Sequence, residues 1–401
     1  VWGLCVALGA VTLGAQEQMR RRQPRIPPLS ETAQAAVASE ALTRFGPEPT
    51  TFVLTLAQHP AALEGIGPLA RYIRERSMVT AVDQALLAMR AAWLCGAAAI
   101  WAERAVEARG LGLTDADLRR IAEGPEAGWG AWDATVLRAA DELYRDSFLS
   151  DETWGLLADR YDGQQLIDII FTAAEYIMLS MMANSFGVQP DPHFPDRLPT
   201  DVPRHTAEAR STPVQLETPR LDPLPTDEWS DEVRVLLDPN GTGRPTINLY
   251  RTLARHPVFY RPRAVQSAYI RTGATLSERA REILILRIGW LCGAEYEWAQ
   301  HVRAGRRAGL TDDEIRRIAV GAAAPGWDPF EANLLRATDE LYRDDMVSDA
   351  TWAALAERYT VQELIDLVIT VGGYRMVSMA LNSLGTQLES GREGFPSVRR
   401  E

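Results

Sequence analysis

Apolar residues recur at steps of three and four along most of the chain, which is the pattern of amphipathic helices. The stretch TLSERAREILILRIGWL begins with Thr275 and Glu278 at capping-box spacing and then becomes mostly apolar. LTDDEIRRIAVG begins with a second box, Thr311 with Glu314, and stops at Gly321. No segment shows sustained two-residue alternation, so the sequence predicts an all-α protein.

The most apolar stretch of the second half is VQELIDLVITVGGYRMVSMALNSLG, residues 361–385. Asp366 and Arg375 interrupt it, and charges are costly inside a bilayer. We predict a buried core helix here and not a membrane span.

The pattern occurs twice in near-constant register. TLAQHP ends at Pro60 and TLARHP at Pro257, and each copy closes on NSFG or NSLG, from Asn184 and Asn382. A repeat of this length indicates a duplicated domain and not a short solenoid unit. The predicted division is a leader (1–23), a degenerate first domain (24–188), a Pro-rich linker (189–218), a second domain (219–388) and a polar tail (389–401).

The composition is that of a globular protein, with 46% hydrophobic and 24% charged residues and a net charge of -12. Nucleic acids and anionic membranes attract the opposite sign, so neither is expected as a partner. Cys5, Cys95 and Cys292 have no disulfide or zinc spacing. Cys95 and Cys292 occupy the same place in the two copies, and we interpret both as small buried hydrophobes.

The first residues, VWGLCVALGAVTLGAQ, have the apolar centre of a signal peptide but lack its basic leading segment. The true start could instead be Met19. We therefore expect a cytoplasmic protein, with a secreted or periplasmic location as the alternative if the stretch is a signal peptide.

The two copies differ at a set of ionisable positions. Charges are costly in apolar helices unless they are paired or used, so we predict the chemical site in the second copy and a supporting role for the first. The second copy has Glu282, Glu295, Glu297, His301 and Arg375 where the first has Ala85, Ala98, Ile100, Arg104 and Ile177.

Glu297 and His301 are four residues apart and would share one face of a helix. Unbroken helix would hold Glu282 about 22 Å from Glu297. A shared pocket therefore requires a break, which we place in GWLCGA, with the next helix starting near Ala294.

Two other interpretations remain open from the residues alone. Glu297, His301 and Arg375 could form a buried ion-pair network with no chemical role. A metal site is least favoured, because no second histidine lies nearby.

EYEWAQH, ending at His301, follows LSERAREILILRIGWLCGA and precedes AGLTDDEIRRIA. Together these stretches resemble the carboxymuconolactone decarboxylase family, which includes the alkylhydroperoxidase D-like proteins. The resemblance implies two tandem alkylhydroperoxidase D-like helical bundles and a homo-oligomer, trimeric or hexameric in character.

In the peroxidase branch of the family, a Cys-x-x-Cys pair precedes the histidine. The matching positions here are Ala294 and Glu297. A peroxidase lacks its nucleophile without these thiols, so alkylhydroperoxidase or peroxiredoxin-like activity is disfavoured.

The decarboxylase branch implies a cofactor-free carboxy-lyase, without a metal, that acts on a small carboxylated lactone or related unsaturated carbonyl acid. His301 would be the general acid/base, Glu297 its orienting partner and Glu282 a second relay carboxylate. The alternative from another class is a non-catalytic, oligomeric module that binds a small ligand. The residues assigned to the substrate are Arg375 or Arg287 as carboxylate anchor, with Glu295, Tyr296 and Asn382.

Overall fold

The computed structural model describes residues 24–37, 39–46, 48–204, 215–241 and 246–396. The predicted leader, with Cys5 and Met19, lies outside the described residues, as do His205 and the end of the polar tail.

The described residues form α-helices, together with one 3₁₀ helix (Thr226–Glu228) and one π-helix (Tyr269–Gly273), and no strand occurs among them. The prediction of an all-α protein is therefore confirmed. The helices of the first half are α1 (Glu31–Gln34), α2 (Ser39–Leu42), α3 (Thr51–Leu56), α4 (Pro60–Arg76), α5 (Ala81–Leu94), α6 (Ala98–Gly110), α7 (Asp115–Glu123), α8 (Ala131–Asp146), α9 (Asp151–Ala158) and α10 (Gly163–Phe186). Those of the second half are α11 (Asp231–Leu237), α12 (Asn248–Leu253), α13 (Pro257–Ala268), α14 (Glu278–Leu291), α15 (Glu295–Arg307), α16 (Asp312–Val320), α17 (Pro329–Asp344), α18 (Asp349–Ala356) and α19 (Val361–Leu384).

Two of the predicted helix starts have different outcomes. The box of Thr311 and Glu314 is present at the start of α16, as predicted. The predicted capping box of Thr275 and Glu278 is wrong, because α14 begins one residue after Ser277, whose side chain caps the helix by accepting from a backbone N–H. The backbone N–H and hydroxyl of Thr275 instead donate to Asp366, a buried carboxylate whose oxygens need partners.

The two longest helices, α10 and α19, form the centre of the protein. By length and composition both could cross a membrane, yet 94% and 100% of their most apolar windows are buried inside the structure. The predicted core helix is therefore confirmed for the second half.

The halves contact each other through α10 against α19 and α4 against α13. A glycine is required where α4 meets the π-helix that follows α13, because a Cβ on Gly65 would lie 2.2 Å from the ring of Tyr269. One buried apolar cluster runs through both halves. The division into separate domains at 24–188 and 219–388 stays a prediction.

Reciprocal hydrogen bonds join the halves. Nε2 of His59 lies 3.1 Å from a carboxylate oxygen of Asp366. In the opposite direction, Nε2 of His256 lies 2.8 Å from the hydroxyl of Tyr72, which itself donates to Asp168. These histidines are buried and structural, as are Cys95 and Cys292. The described parts of the predicted linker contain no helix, and His193 is exposed there.

Candidate active site

The chain breaks its helix between Leu291 and Glu295, as the sequence predicts. Gly293 has a positive φ of 67°, a conformation that L side chains rarely adopt, and Ala294 is the N-cap of α15. The resulting helical hairpin brings Glu282 on α14 to His301 on α15.

His301 lies between two buried carboxylates. Its Nδ1 atom is 2.7 Å from Glu282 Oε2, and its Nε2 atom is 2.9 Å from Glu297 Oε1. The ring also packs edge-on against Tyr374, with centroids 4.9 Å apart. Both ring nitrogens therefore face acceptors, which is the arrangement that an imidazolium satisfies.

The electrostatics agree with this geometry. Burial lowers the pKa of His301, but the charges and hydrogen bonds of Glu282 and Glu297 outweigh it and raise the pKa to about 10. Glu297 also lies in the first turn of α15, near the positive end of the helix dipole. At neutral pH His301 is therefore an imidazolium that lies between Glu282 and Glu297, with which it forms a triad.

A cavity of about 120 Å³ opens beside the triad. Glu297 and His301 line it, whereas Glu282 lies behind the histidine. The remaining walls are mainly apolar. They also contain phenols, among them Tyr250, Tyr260 and Tyr374, and the polar side chains Gln300, Arg263 and Arg271. A small site with apolar walls and a few convergent polar groups is typical of a small-molecule pocket.

Arg263 on α13 is the feature of this cavity that the sequence interpretation missed. Its side chain is 7% exposed, and its Nε and Nη1 atoms have no hydrogen-bond partner among the described residues. Burial lowers the pKa of Arg263, while Tyr250, Tyr374 and Glu297 oppose that change. A buried cation with unused donors is suited to a bound carboxylate.

The internal repeat does hold a signal for Arg263. The first copy has Ile66 at the corresponding position and Leu69 at that of Gln266. The same comparison that selected His301 would have found both residues if it had been extended to α13.

The structure does not bring the predicted anchors to the cavity. Arg375 is fully buried between the halves, where it binds Asp345 at 2.8 Å and the carbonyl of Tyr144 at 3.1 Å. Arg287 binds Asp339 at 2.6 Å and two backbone carbonyls. Both guanidinium groups are held by ion pairs and hydrogen bonds inside the fold. We therefore replace both arginines with Arg263 as the candidate anchor.

The other predicted substrate-binding residues surround a different cavity of about 200 Å³. Glu295 there accepts from the backbone N–H of Phe395 at 3.0 Å, and Asn382 donates to the carbonyls of Cys292 and Ser147. Of the three, Tyr296 alone lines the cavity at His301 as well.

The donors of the triad do not converge on a point that could hold a metal ion. Glu282 and Glu297 face opposite nitrogens of one ring, with the imidazole between them. Within the described ranges, no group of three or more His, Cys, Asp or Glu side chains is arranged to hold a metal ion.

Comparison with known proteins gives one match. No curated protein and no solved structure matches the chain. Residues 259–340 match the model of the carboxymuconolactone decarboxylase family. This segment includes Arg263, Glu282, Glu297 and His301, so the part of the chain that carries the site is similar to the carboxymuconolactone decarboxylase family.

Proposed function

We propose that this protein is a cofactor-free acid/base enzyme that acts on a small carboxylated lactone or related unsaturated carbonyl acid. The observation that carries the proposal is the position of His301, held between two carboxylates at a cavity that also contains the unpaired Arg263. One group supplies a proton and the other binds an anion.

Arg263 supports the choice of an acid as substrate. A carboxylate in the cavity would satisfy the buried donors of its guanidinium, and apolar walls would strengthen that interaction by excluding water. The bound acid would then be held next to Glu297, which fixes the reacting carbon near the proton source.

Decarboxylation at this site requires a carboxylate to leave and a proton to reach the carbon that held it. The bond from carbon to the leaving carboxylate breaks, carbon dioxide departs, and the electron pair enters the conjugated carbonyl as an enolate. His301 is the proton source, and Glu297, which also lines the cavity, takes the Nε2 proton and passes it to carbon, after which solvent restores it. The relay role expected of Glu282 therefore goes to Glu297, and the orienting role expected of Glu297 goes to Glu282. Glu282 holds the ring and stabilises the imidazolium. General acid catalysis of this kind contributes about 10²- to 10⁴-fold.

Two phenols support the enolate stage. Burial raises the pKa of Tyr260 and of Tyr374, so both keep their hydroxyl protons at neutral pH. Protonated phenols that line the cavity can donate to an enolate oxygen, and such donors stabilise developing charge in a site that excludes water.

A second candidate is a non-catalytic module that binds a small anion. The specific observation in its favour is that both nitrogens of His301 are already occupied, as in a structural ion-pair network. A peroxidase is a weaker candidate, because Ala294 and Glu297 stand at the two thiol positions and Cys292 is buried outside the cavity lining.

Turnover of γ-carboxymuconolactone and related unsaturated lactone acids, followed by ultraviolet absorbance, tests the enzyme. We expect wild type to consume at least one of these acids and His301→Ala to consume none while it still unfolds cooperatively. His193→Ala is the matched control, because that histidine is exposed in the linker. A fully active His301→Ala variant would refute the assignment, and an inactive wild type that binds these acids would favour the binding module.

A further inference from the structure

Glu175 on α10 is a buried carboxyl group of the first half that reaches the second. Its side chain is 1% exposed, and burial raises its pKa, while the neighbouring Gln266 and Arg263 on α13 act in the opposite direction. Neither carboxyl oxygen makes a hydrogen bond of ordinary geometry among the described residues, and the same holds for the amide group of Gln266. The three side chains form a buried polar row, which has Arg263 in the wall of the His301 cavity and Glu175 in the wall of a cavity of about 20 Å³ in the first half.

This row occurs on one side of the protein and not on the other. At the position of Glu175 the second half has Gly373, and at those of Arg263 and Gln266 the first half has Ile66 and Leu69. Packing requirements common to both halves therefore do not explain the row. Since one of its ends lies at the His301 cavity, a role there is the simpler explanation.

Arg263 is the cation, among the described residues, whose charge acts on Glu175. The main charged side chains buried on helices packed against α10 have ion-pair or hydrogen-bond partners, although Nη1 of Arg74 has none within the described ranges. The partnered groups are Arg74 with Glu75 on α4, Arg90 on α5 with Asp141 on α8, Arg104 with Glu103 and Glu107 on α6, Glu142 on α8 with Ser150, and Arg375 on α19 with Asp345.

We propose that Glu175 is a positioning residue of the anion site, and that its protonation state decides whether Arg263 binds the substrate carboxylate. While the carboxyl group of Glu175 is neutral, the guanidinium lacks an anionic partner on that side and binds the substrate. Once Glu175 ionises, it forms an internal pair with Arg263 and competes with the substrate. This inference rests on the proposed function in taking Arg263 as the anchor.

The balance of charges supports the neutral state during binding. Burial raises the pKa of Glu175 to about 8, although Gln266 and Arg263 act in the opposite direction. At pH 7 Arg263 then has no ionised carboxylate of Glu175 beside it, so its charge is available to a bound anion. The first half thus contributes a residue to the site of the second.

Calorimetric titration with 2-furoate, a small planar monocarboxylate, tests the proposal between pH 6 and pH 9. Because the anion would bind the form with neutral Glu175, wild type should lose about tenfold in affinity between pH 7 and pH 9. Glu175→Gln keeps the shape of the neutral acid and should bind with an affinity that does not vary over this range. The neutral analogue 2-furamide controls for changes unrelated to anion binding.

A second measurement needs no variant. At pH 8.5, titration of wild type in two buffers with different ionisation enthalpies should show uptake of about three-quarters of a proton per furoate bound, because a group with a pKa of about 8 is ionised to that extent. A pH dependence that persists in Glu175→Gln, or binding without proton uptake, would overturn the proposal. Absence of furoate binding at every pH would remove the anion site and this inference with it. Binding that follows the expected pH dependence without turnover of any acid would support it and reject only the enzymatic function.

Discussion

The Nδ1 atom of His301 lies 2.7 Å from Oε2 of Glu282, nineteen residues earlier in the chain. This contact joins α15 to α14 on the buried side of the helical hairpin. The contact of Nε2 with Glu297 completes the triad. A histidine held in this way carries a proton well above neutral pH. That proton bears on the stability of the fold and on the proton transfer that we propose.

Removal of either carboxylate should lower the pKa of His301. In Glu282→Gln or Glu297→Gln the ring loses one negative partner while its burial remains, so the pKa should fall from about 10 towards neutrality. The imidazole NMR signals of the protein, titrated from pH 5 to pH 11, measure it. Exposed His193 provides an internal reference, and an unchanged His301 curve would contradict the assigned contacts.

The stability of the fold should depend on pH through His301. Its pKa is raised in the folded state from an ordinary value of 6.5 to about 10. The folded state therefore holds one more proton between these values, and the stabilisation is complete below pH 6.5 and lost as pH rises towards 10. The slope from this group approaches 1.4 kcal/mol per pH unit. Urea unfolding of wild type and His301→Gln at pH 6, 8 and 9.5 isolates it, and parallel pH profiles for the two proteins would show that it is absent.

Substitution of Arg263 should impair binding more than stability. Arg263→Met removes a buried cation that has unused donors, so we expect KM for the acid substrate to rise at least tenfold with little loss of folding free energy. Arg375→Met, the matched control, removes the partner of the buried Asp345 and should cost about 3–5 kcal/mol of stability. Steady-state kinetics and urea unfolding of both variants separate the two roles. A reversed result would restore Arg375 as the anchor.

The hairpin turn should be sensitive to a side chain at Gly293. Gly293→Ala places a Cβ on a residue with φ of 67°, which costs about 1–2 kcal/mol and shifts α15 relative to α14. Activity should fall, because Glu282 and His301 are on opposite sides of the turn. Gly96→Ala changes the corresponding residue of the first half, where φ is 65° and the Cβ would also displace the guanidinium of Arg204, so it should destabilise at least as much without lowering activity per folded molecule. Equal effects of the two changes on activity would argue against the hairpin as the element that aligns the triad.

The sequence by itself determined the features that depend on local spacing. The helical period identified the fold class, the four-residue step put Glu297 beside His301, and GWLCGA marked the break that returns Glu282 to them. These relationships hold within one helix or across one short turn, where backbone geometry leaves few alternatives.

Tertiary structure alone decided which arginine faces the cavity. Arg263 and Arg375 are both cations on largely apolar helices, and nothing in their own helices separates a binding role from a packing role. The crossing of α10 with α19 places Arg375 beside Asp345, while the packing of α13 leaves Arg263 beside Glu297 and Glu175. Side chains far apart in sequence meet only where whole helix faces pack together. That packing depends on the complementarity of the entire core and not on the spacing within any one segment.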